Sequence, residues 1–60
     1  MNFIMGVKVS NVPNYAHDYT YWVANLIDTE LWFYGAWDEE DRATEVAKET
    51  GHGLVLRNKV

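Results

Sequence analysis

The groups able to do covalent chemistry are few and scattered. The chain of 60 residues has no cysteine, and its sole serine, Ser10, has no histidine near it in sequence. Nucleophilic catalysis needs a nucleophile beside a base, and neither pairing is present. The two histidines have ordinary explanations: His17 falls in a polar loop and His52 in a glycine-flanked turn, where a solvated histidine is the commoner role. A metal site from His17, Asp18 and His52 would require that loop and turn to meet, and nothing in the spacing demands it. No glycine-rich phosphate loop is present. The expectation is a protein that is no enzyme, with no cofactor and no metal.

Two other groups of residues are candidates for binding. The run Asp38, Glu39, Glu40 and Asp41 offers four carboxylates in a row that resemble a row of phosphates. The ordinary reading is a helix start, with Asp38 as N-cap and the remaining acids on the positive end of the helix dipole. The second group is aromatic. Tyr19 to Trp37 holds all three tryptophans, three of the four tyrosines and one of the two phenylalanines. Tyr15, Tyr19, Tyr21 and Trp22 have the flat rings that stack on nucleobases, but stacking proteins add a basic groove that this chain lacks. Core or protein interface is the better home for the rings.

Composition narrows the choice. Five basic residues against nine acidic ones give a net charge of −4, which argues against nucleic acid or an anionic membrane as direct partner. No run approaches the roughly 20 apolar residues that span a bilayer, and no signal-peptide pattern opens the chain, so a soluble, cytoplasmic protein is expected. A domain of this size buries only about 60% of the surface its unfolded chain exposes. Without disulfides or an evident metal, self-association is the expected support.

The elements that position these groups read as one small α+β domain spanning residues 1–60. The expectation is a three- to four-stranded antiparallel sheet in the order β-β-β-α-β, with one helix packed on one face. A short strand with Val7 and Val9 on one side and Lys8 and Ser10 on the other comes first, weakened at its start by Gly6. Met5 is an alternative start to Met1. Asn11 to Asp18, with the only proline, reads as a loop or a helical turn. Two aromatic strands, Tyr19 to Ile27 and Leu31 to Trp37, form a hairpin about Asp28-Thr29-Glu30. Strict alternation puts Tyr21, Val23 and Asn25 opposite to Trp22, Ala24 and Leu26. In the second strand it sets Leu31, Phe33, Gly35 and Trp37 against Trp32, Tyr34 and Ala36. A helix over Glu39 to Thr50 presents a narrow stripe of Ala43, Val46 and Ala47, Gly51 caps it, and a last strand covers Leu54 to Arg57. A sheet apolar on both faces needs cover on both, and one such helix covers one.

The run Leu31-Trp32-Phe33-Tyr34-Gly35-Ala36-Trp37-Asp38, the acidic helix with Ala43, Val46 and Ala47, and Gly51 after it resemble a type of small protein common in phages of Gram-positive bacteria. The likeness covers about Tyr21 to Arg57 and carries no functional residue over. The resemblance implies a protein that binds and blocks a bacterial host protein, as anti-defence factors against CRISPR, Thoeris or Hachiman systems do, the anti-Hachiman type being the nearest in size. Alternatives are an acidic mimic of nucleic acid that blocks a DNA-binding protein, and a structural or assembly component of the virion. The partner expected from the residues themselves is a second copy, in a homodimer across the open sheet face with Trp22, Trp32, Tyr34 and Tyr21 as contacts.

Overall fold

The aromatic hairpin is the centre of the molecule. The computed structural model describes residues 2–4 and 7–58; the alternative start at Met5 and the glycine at position 6 lie outside them. Strands β1 (Asn2–Ile4), β2 (Val7–Ser10), β3 (Tyr21–Ile27), β4 (Glu30–Trp37) and β5 (Gly53–Arg57) form one sheet, joined by a 3-10 helix at Asn14–Asp18 and helix α1 at Glu40–Thr50. The spatial order is β1-β2-β4-β3-β5. The α+β class, the hairpin and the helix on one sheet face agree with the sequence. Two details of the sheet differ. It has five strands among the described residues, because β1 adds an outer strand, and β2 pairs with β4 in parallel. That parallel step arises because the chain leaves β2, crosses the sheet through Asn11–Thr20, and returns along β4 only after β3.

The hairpin closes through two residues, Asp28 and Thr29, between the paired Ile27 and Glu30. Both sit at positive φ, 49° and 69°. Such a turn matches the twist of the flanking strands, and asparagine and glycine suit it best. Threonine at positive φ brings its branched side chain against the backbone, so this turn stores strain.

The face assignments depend on a β-bulge. Val23 pairs with Gly35 and Ala24 with Phe33, which leaves Tyr34 as the extra residue of β4. Strict alternation fails at this point. Trp22 and Ala36, Ala24 and Phe33, and Leu26 and Leu31 are cross-strand pairs on one face; Tyr21 and Trp37, Val23 and Gly35, and Asn25 and Trp32 are pairs on the other. Trp22 and Trp32 therefore lie on opposite sides of the sheet, and Trp37 shares the side of Trp32.

Each face has its own cover. On one, α1 lies astride β3 and β5, and Ala43 and Ala47 bury against Val23 with Tyr21, Trp37, Val46 and Val55 around them. The helix approaches closely because Gly53 lies beneath it: a Cβ there would sit 2.6 Å from Ala47 Cα and 2.7 Å from its carbonyl oxygen. Gly51, at φ 80°, ends the helix as expected. On the other face the 3-10 helix covers Trp22, which is 0% exposed, and Ala16 joins Val9, Trp22 and Ala24 in a second core. The Trp22 indole N–H donates to the Ala16 carbonyl at 2.6 Å. Asn58 fastens the same segment from the far end of the chain, with its side-chain amide donating to the carbonyls of His17 at 3.1 Å and Tyr19 at 2.9 Å.

Two substitutions test this description in urea unfolding. Trp22→Phe keeps an aromatic ring but removes the indole donor, so that the Ala16 carbonyl keeps only the Tyr19 N–H at 3.1 Å, and opens a void beside it; it should cost about 1 to 3 kcal/mol. Thr29→Gly removes the strained branch from the hairpin turn and should stabilise by about 1 kcal/mol.

Candidate functional site

The residues singled out for catalysis or metal binding are not brought together. His17 lies edge-on to Trp22, ring centroids 5.4 Å apart, while His52 is in the turn whose carbonyl accepts the Leu26 N–H at 3.1 Å. They stand at opposite ends of β3. Among the described residues no three His, Cys, Asp or Glu side chains gather as metal ligands would. Ser10 is half-buried in β2, level with Trp32.

The acidic run is split by the fold. Asp38 does not cap the helix: its carboxylate accepts the Thr20 backbone N–H at 3.2 Å and lies 3.5 Å from the Thr20 hydroxyl, tying the start of β3 to the end of β4. The N-cap position belongs to Glu39, which makes no side-chain capping bond, so the helix starts one residue later than expected. The reason is competition. A carboxylate with an unpaired backbone donor across the sheet accepts from that donor instead of turning back on its own helix. Glu39, Glu40 and Asp41 remain exposed at the positive end of α1.

The aromatic group is divided in the same way. Trp22, expected at an intermolecular contact, is wholly inside the chain, because the 3-10 helix supplies the cover that a second copy was expected to give. Tyr21 is half-buried against the α1 side of the sheet. Trp32 and Tyr34 do reach the surface, 41% and 55% exposed, but Trp32 is on the α1 side, beyond the helix's reach.

What lies open on the 3-10 side is a different set. Leu26 and Leu54 are 50% and 46% exposed, on neighbouring strands, beside the half-buried Leu31 and Phe33. Tyr15 packs edge-on to Phe33 at 6.4 Å, and with Tyr34 it borders a hollow of about 430 Å³ that also touches Asn11, Val12 and Pro13. Leu54 on the outer strand and Leu26 near the hairpin turn stand to one side of Phe33, and Tyr15 and Tyr34 to the other, so exposed apolar side chains alternate with polar tips, a composition that protein-binding sites favour. The sequence reading passed over Leu26 and Leu54. The available signal was their alternation with Ala24 and Leu56, outweighed by the tryptophans.

No protein-family model, curated protein or solved structure matches this chain. Asp38→Ala should lower stability by about 1 kcal/mol and speed hydrogen exchange at the Thr20 amide, whereas loss of a helix cap would instead deprotect the first amides of α1.

Proposed function

We propose that the protein acts by binding: it docks on a bacterial host protein and inhibits it, as the resemblance to small phage proteins implies, with a component of an anti-phage defence system of the Hachiman or CRISPR kind as target. The observation that carries the reading is the set of exposed apolar and aromatic side chains on the 3-10 side of the sheet, Leu26 and Leu54, with Tyr15 and Tyr34 bordering the hollow beside Phe33. A chain of this size gains stability from every leucine it can bury, and two half-exposed leucines side by side mark a surface suited to a partner. Burial of such a cluster supplies most of the affinity in a protein contact, while the polar rim sets orientation.

Plating of phage on bacteria that carry a defence system tests this. In a strain with a Hachiman system, expression of the chain should raise plating by about tenfold or more, and Leu26→Lys combined with Tyr34→Ala should abolish the gain. Both positions are exposed, so the variant should keep its stability within about 1 kcal/mol. Reversal at Glu39 and Asp41 to lysine separates the alternative: it removes the activity of a nucleic-acid mimic but lowers an apolar contact only modestly. No gain in plating against Hachiman, CRISPR or Thoeris systems would overturn the inhibitor reading.

A further inference from the structure

Strand β5 is an outer strand of the sheet, and the side turned away from β3 pairs with no other strand among the described residues. The pairing fixes which backbone groups face outward. Leu26 N–H donates to the His52 carbonyl and Asn58 N–H to the Thr20 carbonyl, so alternate β5 residues, Leu54 and Leu56, direct their N–H and C=O at β3. Val55 and Gly53 direct theirs outward. Outer strands are ordinarily protected by proline, an inward charge or a bulge, and Leu54-Val55-Leu56 has none of these.

We infer that β5 pairs with β5 of a second copy, antiparallel about a two-fold axis at Val55, to make one continuous sheet. The inference rests on self-complementarity of the neighbouring helix. With Val55 at the axis, Val55 N–H donates to the partner copy's Val55 carbonyl and the reverse, and Leu54 meets Leu56 of the other copy on the 3-10 face. Helix α1 runs antiparallel to β5, with Gly53 beneath Ala47. Two residues of strand advance about 6.6 Å, or roughly four residues of helix, which brings Val55 level with the turn at Ala43 and Thr44.

Thr44 and Lys48 line the groove between α1 and β5, of about 350 Å³, and Glu40 precedes them by one turn on the same ridge. Two such ridges related by this axis run antiparallel, with Thr44 against Thr44 and the exposed Glu40 of each copy opposite the exposed Lys48 of the other. The spacing fits as well. Because α1 sits astride β3 and β5, its axis is about half a strand spacing inside β5, so two copies place their helices about 9 to 10 Å apart, the distance at which helices pack. An extended peptide from an unrelated protein would satisfy the strand edge but leave the Glu40 and Lys48 ridge without a counterpart.

Sedimentation and hydrogen exchange test the arrangement. The chain of 7.0 kDa should sediment at about twice that mass at 100 micromolar, and the Val55 amide should be protected to a degree that rises with concentration. Lys48→Glu should weaken self-association by about tenfold, and Glu40→Lys combined with Lys48→Glu should restore it. A monomer at that concentration, a dimer in which Val55 exchanges as fast as an exposed amide, or a dimer indifferent to both charge variants would overturn the inference.

Discussion

The hydrogen bond from the Trp22 indole to the Ala16 carbonyl is the contact on which the rest of the fold depends. A tryptophan in the middle of the sheet of a sixty-residue chain needs an apolar roof and an acceptor for its N–H, and the 3-10 helix supplies both in one segment. Phe33 and His17 then close on the ring edge-on at 5.5 and 5.4 Å. Since the roof comes from the crossover between β2 and β3, the same contact sets the path that makes β2 parallel to β4. Asn58 holds the far end of the segment, so the roof is secured by a single residue that lies 41 positions from His17 and 39 from Tyr19 in the chain.

The second constraint is the bulge at Tyr34. One extra residue in β4 reverses the phase of everything after it, and Trp37 turns to the α1 side with its ring across Gly35. The bulge also sends Tyr34 outward, next to the hollow beside Tyr15. Fold and candidate surface thus share one irregularity: the same residue that breaks the alternation borders the open apolar surface.

Much of the fold was legible in the residues. The hairpin followed from two aromatic, β-branched runs about a polar triplet, the helix from Ala43, Val46 and Ala47 at helical spacing, its end from Gly51, and the last strand from Leu54 to Arg57. The candidate surface was less legible. Trp22 drew attention as the largest apolar group and proved to be core, while Leu26 and Leu54 stood unremarked because a leucine in a strand is ordinarily buried. Asp38 had the type and position of a helix cap, yet its carboxylate accepts from Thr20, a donor 18 residues earlier that no local pattern reveals.

The sequence by itself determined element types and order, because those follow from side-chain periodicity and from glycine, proline and β-branched residues acting within a few positions. It also determined the absence of thiols and the single serine, since no fold can supply a side chain that the chain does not contain. Only the tertiary structure decided which side of the sheet each tryptophan occupies and what covers it. Both turn on events of long range: a one-residue slip in strand pairing, and a crossover segment that folds back on a sheet formed by later residues. Alternation specifies which neighbours share a face only while pairing stays in register, and register is set by the energy of the assembled sheet and not by either strand alone.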